Sequence, residues 1–256
     1  MCNTCGCNIT DHNKRTHPHT VEVLEGLLSD NDRQAAHNRA HFNAQGLLAV
    51  NLMSSPGAGK TALLEATIDA LKNELSIAVI EGDLETENDA ERIRAKGVPA
   101  LQITTGTACH LDAHMVHDAL HHMPLDGVDI LFIENVGNLV CPASFDLGQH
   151  LNVTLLSVTE GDDKPAKYPV IFRAADAALV TKTDLMPYMD DFSIERVKAH
   201  MRNLASDVPV MALSAKQGID MEAWINWLRE QRNARPAGRK YHTAGYAAAG
   251  HTHVLR

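Results

Sequence analysis

Apolar residues along this chain gather into short runs: LLAVNLM (47–53), SIAVI (76–80), VPALQIT (98–104), DILFIEN (129–135), LNVTLLSV (151–158), DAALVT (176–181) and VPVMAL (208–213). Runs of this length, closed off by Gly, Pro or Asp, read as strands buried on both faces, as in parallel sheets. Between them the period lengthens. Apolar positions at helical spacing predict helices over 62–73, 85–96 (stopped by Gly97 and Pro99), 108–123, 193–204 and 221–232. Strand and helix in alternation predict an α/β fold, a mainly parallel sheet of about seven strands with helices on both faces. Ahead of the first strand, Val21, Leu24, Leu27 and Leu28 predict a helix from Thr20. Asn31 and Asp32 predict a break, with a second helix ending near Gly46, both packed on the edge of the core. The ends lack any period: 1–19 read as a flexible arm and 234–256, rich in Ala and Gly, as a disordered tail, around one folded domain over 20–233.

The connection between the first strand and its helix is SSPGAGKT. Gly57 and Gly59 clear space for backbone N–H groups to face a phosphate, and the helix behind them adds the positive end of its dipole. This is the Walker A arrangement of a P-loop NTPase, with Ser55, Gly57, Ala58, Gly59, Lys60 and Thr61 as the cradle. Lys60 is placed to reach the β- and γ-phosphates and the Thr61 hydroxyl to ligate Mg2+. Ser54 departs from the glycine usual at the first position. Asp83 ends the second strand, where it can face the Mg2+ site or cap the next helix. Glu134 ends the fourth strand in the Walker B position, and Gly137 lets a backbone N–H approach a γ-phosphate. Lys60, Asp83 and Glu134 are thus the candidate catalytic set, and Thr61, Asp83 and Glu134 the candidate Mg2+ ligands. After the sixth strand comes TKTD, in which Asp184 is placed to accept hydrogen bonds from guanine while the Lys182 stem stacks on the base. Thr181 stands where Asn is usual. Ser214, Ala215 and Lys216 match the short loop that closes over guanine, so the expected nucleotide is GTP.

Composition changes the picture in one direction, toward metal. With 256 residues and 45% hydrophobic content the chain can bury one α/β core. A net charge of -9 argues against nucleic-acid or anionic-membrane partners, which need clustered Lys and Arg. No apolar run spans a bilayer and no apolar signal region opens the chain, so the expected location is cytoplasmic. Thiols stay reduced there, and Cys2, Cys5 and Cys7 sit within the first seven residues. Three thiolates with a backbone or terminal amine suit square-planar Ni2+, and softness also admits Zn2+ or Cu+. His12, His17 and His19 follow as auxiliary ligands or solvated residues. In the 108–123 helix, His110, His114, His117 and His121 fall on one face. A helix N-terminus lowers a thiol pKa, which marks Cys109 beside His110 as the sharper candidate. His117 and His121 read as solvated. Cys141, just past the fourth strand, reads either as a buried thiol or as a ligand sharing a loop with the nucleotide.

Taken in order, C-x-x-C-G-C, SSPGAGKT, EGD, ACH, ENVGNLVCP, EGDDKPAKYP, TKTD and SAK resemble the HypB family of hydrogenase nickel-incorporation GTPases, over nearly the whole chain. The resemblance implies a GTPase of the dimerising class that also includes the urease accessory GTPase. Its implied activity is slow GTP hydrolysis. Its implied task is delivery of Ni2+ to the large subunit of nickel-iron hydrogenase, as a GTP- or metal-dependent homodimer working with a HypA-type metallochaperone. It also implies a high-affinity nickel site at Cys2, Cys5 and Cys7. A second site, for Zn2+ or Ni2+ at the dimer interface, is implied at Cys109, His110 and Cys141, with His114 a further candidate. Three readings compete with it: a P-loop kinase, against which TKTD and SAK argue, nickel delivery to another enzyme such as urease, and a passive metal buffer with a weak NTPase.

Overall fold

The computed structural model describes residues 18–83, 87–204 and 207–235, the first eight of these as backbone alone. The elements are α1 (Pro18–Gln45), β1 (Leu48–Ser54), α2 (Lys60–Leu71), β2 (Ile77–Asp83), α3 (Asn88–Ala95), β3 (Ala100–Thr104), α4 (Ala113–Leu120), β4 (Ile130–Glu134) and β5 (Leu151–Ser157). They continue with α5 (Lys164–Lys167), α6 (Pro169–Arg173), β6 (Ala177–Thr181), α7 (Ile194–Asn203), β7 (Val210–Ala212) and α8 (Met221–Asn233). Seven strands form one sheet in the order β3-β2-β4-β1-β5-β6-β7, each neighbouring pair parallel. The chain leaves β1 for β2 on one side and later returns to β5 on the other. The carboxyl end of β1 is therefore a crevice between diverging connections, where ligands collect in such sheets.

All seven residues of β1 are buried, which is why its sequence runs apolar without alternation. Leu48, Val50 and Leu52 face α2 and α8, packing with Leu64, Ile68, Trp224 and Leu228. Ala49 faces the other way, in a cluster with Phe42 of α1 and Val116 of α4. Met53 joins a third cluster with Phe172 of α6 and Val197 and Met201 of α7. Trp224 is fully buried and its Nε1–H donates to Thr67 Oγ1 at 2.9 Å, so the largest core side chain leaves no polar atom unpaired.

Three expectations about local structure are corrected. The break at Asn31 and Asp32 does not occur, and α1 runs unbroken from Pro18 to Gln45. Asn31 is buried, its Nδ2 donating to the Asp146 carbonyl at 2.8 Å and its Oδ1 accepting from Ala113 N at 2.9 Å. An Asn breaks a helix by bonding its own backbone, and this one is engaged elsewhere. The helix also begins two residues inside the expected arm. The 108–123 helix contracts to α4, because Asp112 caps it by accepting from Met115 N at 2.8 Å. β2 runs through Glu81 and Gly82 and ends at Asp83. Among the described residues no helix is long and apolar enough to cross a membrane. The arm through Thr16 and His17 and the tail from Pro236 lie outside the described residues, with Cys2, Cys5 and Cys7 among them.

Where β5 begins, His150 accepts from Ala49 N at 2.9 Å on Nδ1 and meets Asn43 Oδ1 at 3.1 Å on Nε2, an arrangement that requires the neutral ring. Burial, then the charges of Arg235 and Arg39, push its pKa down to about 4. Because the folded value lies below the ordinary 6.5, the unfolded chain takes up a proton first as pH falls. The contribution of His150 is therefore intact above pH 6.5 and is lost between there and about pH 4. After discounting for partial solvation, this is about 1–2 kcal/mol. Urea unfolding at pH 7.5 and pH 4.5 should show a smaller loss on acidification for His150→Gln than for the parent chain, and equal losses would refute the assignment.

Candidate functional site

Residues of the phosphate turn meet the ends of β2 and β4 around a cleft of about 390 Å³, lined among others by Gly57, Gly59, Lys60, Thr61, Asp83 and Glu134. Gly57 and Gly59 have φ of 74° and 98°, a left-handed backbone that any side chain would strain. A Cβ on Gly137 would come within 2.8 Å of Pro56 Cα, so the loop after β4 lies directly against the turn. Ser54, the departure from the usual pattern, is fully buried and its hydroxyl accepts from Lys60 Nζ at 3.1 Å. Lys60 Nζ also lies 3.8 Å from Glu134 Oε1, to which the Thr61 hydroxyl donates at 3.2 Å. Ser55 Oγ donates to Glu160, whose other oxygen accepts from Ser157 N at 3.0 Å, tying the turn to the loop after β5.

One residue absent from the expected set is Glu81. The parallel register pairs it with Glu134, and both side chains are buried. Burial first, then the Glu134 charge, pushes the Glu81 pKa up to about 10. Burial also raises Glu134, opposed by Lys60. Glu81 Oε1 and Glu134 Oε2 have no hydrogen-bond partner within the chain. Buried carboxylate oxygens without donors, next to the Thr61 hydroxyl and with Asp83 on the same cleft wall, fit a hard divalent cation of the Mg2+ kind. The segment EGD drew attention to Asp83 alone; only strand register brings Glu81 to Glu134.

At the far end of the turn, Thr181 Oγ1 donates to the Ala58 carbonyl at 2.7 Å, a bond that accounts for Thr in place of Asn. Lys182, at φ 59°, lays its stem across the turn and donates from Nζ to the Gly57 carbonyl at 2.6 Å. Ser214 Oγ donates to Asp184 Oδ1 at 2.5 Å, so the loops after β6 and β7 are joined; Ala215 is half-buried and Lys216 exposed beside them. A larger open depression of about 570 Å³ lies elsewhere, between α1 and residues 142–146. Its Arg39 is committed to Asp146 at 2.7 Å, and it holds none of the phosphate-turn residues.

Cys109, His110 and Cys141 come together as expected, their ligating atoms all within 4.8 Å of one another. The sulfurs are 3.1 Å apart, well beyond a disulfide bond of about 2.05 Å. Burial lowers the His110 pKa, favouring the neutral imidazole that binds metal, and its ring stacks on Phe145 at 3.9 Å. Two soft sulfurs and one imidazole suit Zn2+ or Ni2+. Cys109 does not sit at a helix N-terminus as expected, since α4 starts only at Ala113. His114 does not join the cluster: its Nε2 pairs with Asp30 Oδ2 of α1 at 3.0 Å.

A chain of amides runs from this cluster to the nucleotide cleft. Asn138 Nδ2 donates to the Cys109 carbonyl at 3.2 Å while its Oδ1 accepts from Val140 N at 2.8 Å. Asn135, which follows Glu134, accepts on Oδ1 from Leu111 N at 3.1 Å and Val136 N at 3.0 Å. Its Nδ2 donates to Asn51 of β1 at 3.2 Å. Residues 134–141 thus touch the phosphate turn at Gly137 and supply a thiol at Cys141.

A parallel sheet with a phosphate turn after its central strand and two carboxylates at the neighbouring strand ends defines a P-loop nucleotide-binding protein. Residues 48–212 match the family model described as CobW/HypB/UreG, nucleotide-binding domain. The hydrogenase maturation factor HypB of Azotobacter chroococcum mcd 1 is 54% identical over 217 residues, 84% of this chain and 70% of that protein. The HypB of Escherichia coli K12 is 53% identical over 214 residues, 84% of this chain and 73% of that protein. The crystal structure of HypB from Helicobacter pylori in complex with nickel superposes with a TM-score of 0.77 at 42% identity, covering 85% of this chain and all of that one. The chain belongs to the HypB family.

Proposed function

We propose that this protein is a cytoplasmic GTPase that carries Ni2+ during maturation of nickel-iron hydrogenase. The observation that carries the reading is the sharing of residues 134–141 between the phosphate cleft and the Cys109, His110 and Cys141 cluster. It is supported by the names of the relatives, hydrogenase maturation factors, and by the nickel complex of the Helicobacter pylori protein. The backbone of Gly57, Ala58 and Gly59 cradles the phosphates, and Lys60, turning from Ser54 and Glu134, meets their negative charge. Thr61, Asp83 and Glu134, with Glu81 behind them, would hold Mg2+, which would supply charge neutralisation to the phosphates. Asp184 and Lys182 read guanine, with Ser214, Ala215 and Lys216 closing over it. Cys2, Cys5 and Cys7 take Ni2+ tightly on the arm. Cys109, His110 and Cys141 take Zn2+ or Ni2+ at the interface of a homodimer, which passes the ion on with a HypA-type chaperone to the hydrogenase large subunit.

Coupling between nucleotide and metal is the test. If the γ-phosphate pulls on Gly137, Cys141 shifts relative to Cys109 and His110 through Asn135 and Asn138. Metal sites hold their distances to about 0.2 Å, so a shift of about 1 Å changes affinity. Linkage then requires metal to change GTP affinity by the same factor, expected at about 5–150-fold. Ni2+ and Zn2+ titrations in a Cys2, Cys5 and Cys7 to Ala background, with GDP and with a non-hydrolysable GTP analogue, should give different affinities. Equal affinities in both states would make the cluster structural and leave the nucleotide to control something else.

A further inference from the structure

Apart from the nucleotide cleft and the thiol cluster, α1 and α4 bring a second set of imidazoles together. His37 and His41 lie one turn apart on α1, and His117 and His121 one turn apart on α4 and its cap, and the two helices pack against each other. Nε2 of His117 and Nε2 of His121 are 3.2 Å apart, their rings at 4.7 Å and 80°. The His37 ring stands 5.0 Å from that of His117 at 75°. His117 Nδ1 is buried with no hydrogen-bond partner within the chain.

We propose that His37, His117 and His121, with His41 beside them, bind a borderline divalent transition-metal ion, Ni2+ or Zn2+, that ties α1 to α4. A tetrahedral ion with metal–nitrogen bonds of about 2.0–2.1 Å keeps its ligand nitrogens about 3.3 Å apart. The separation of the His117 and His121 nitrogens is within 0.2 Å of that bite. Two histidines at i and i+4 on one helix face are also the spacing by which helices present paired imidazoles to zinc. The ring nitrogens of His37, His117 and His121 do not all lie within 4.8 Å of one another, so His37 supplies a third ligand from the facing helix by rotation about its side-chain bonds, which its exposed position leaves open. Metal binding requires the neutral imidazole. Burial and then the neighbouring imidazoles lower the pKa of both His117 and His41. Hard Mg2+, which prefers oxygen, is excluded by the all-nitrogen set. This site is independent of the nucleotide reading above and of the arm cysteines.

The experiment uses the full chain with Cys2, Cys5, Cys7, Cys109 and Cys141 all changed to Ala, so that the thiol sites are silent. Equilibrium dialysis against Ni2+ or Zn2+ with Mg2+ in excess should leave one equivalent bound. His117→Gln with His121→Gln should weaken it by about 10–100-fold or more, and His37→Gln by about tenfold. Changing His12, His17 and His19 to Gln should leave it in place. Zn2+ should raise the melting temperature of the thiol-free chain but not of its His37→Gln variant, a readout that a chelate on α4 alone would not give. Loss of the bound equivalent in the His12, His17 and His19 variant, or its persistence when His117 and His121 are changed, overturns the proposal.

Discussion

Lys60→Ala is expected to lower GTP hydrolysis by about 10²–10³-fold or more, the range seen when one preorganised group is withdrawn from developing charge. The ammonium is poised for this. It is buried, held 3.1 Å from Ser54 Oγ and 3.8 Å from Glu134, so it reaches a phosphate without paying for desolvation at the moment of reaction. The same burial warns that its removal leaves Glu134 beside Glu81 with less compensation, since Lys60 opposes the rise in the pKa of both. Lys60→Ala is therefore also expected to lose stability, so Lys60→Met, which keeps the packing volume, belongs beside it. Ni2+ capture by Cys2, Cys5 and Cys7 should survive in both variants, because those thiols lie outside the folded domain proposed for 20–233. Single-turnover phosphate release, circular dichroism and competition for Ni2+ against a chelator measure the three quantities. Hydrolysis at the parent rate would remove Lys60 from the site. Loss of tight Ni2+ binding with the fold intact would mean that arm and cleft are not separate.

The parts of this protein that could be read in the chain are those written locally. SSPGAGKT needs only Gly at two positions, a strand before and a helix after, and the left-handed φ values of Gly57 and Gly59 are what its composition implies. Buried strands such as β1 announce themselves because a strand covered on both faces has no reason to alternate. What could not be read depends on partners distant in sequence. Asn31 looks like a helix breaker until Asp146 and Ala113 occupy its amide. Glu81 reads as one more strand residue until register sets it against Glu134. The contraction of α4 illustrates a subtler case: the apolar period does run through 108–112, yet an Asp three residues before Met115 caps better than the preceding residues propagate. His114 followed the same error, since on a longer helix it would have shared a face with His110.

Asp184→Asn is expected to cost GTP affinity by about 10⁴-fold, the size of penalty when a site built to hydrogen-bond one group faces a group it cannot pair. In the role proposed for it, the Asp184 carboxylate accepts from two donors on one edge of guanine, and an amide offers only one acceptor. Ser214 decides how that amide would turn. Its Oγ donates to Asp184 Oδ1 at 2.5 Å, and in the variant the same bond is best kept by the carbonyl oxygen. The NH2 group is then directed to the base, where it repels guanine's amino group and welcomes the carbonyl that xanthine carries instead. Xanthosine triphosphate should accordingly support hydrolysis in Asp184→Asn, whereas GTP should not at the same concentration. Ser214→Ala releases the orienting bond, so the double variant should favour xanthine less than Asp184→Asn alone, a prediction that a generic loss of folding does not make. Nucleotide competition against a fluorescent GDP analogue, for GTP, ATP and xanthosine triphosphate on all three proteins, measures the set. Unchanged GTP binding in Asp184→Asn, or equal binding of ATP and GTP by the parent chain, would show that the 181–184 and 214–216 loops do not read the base.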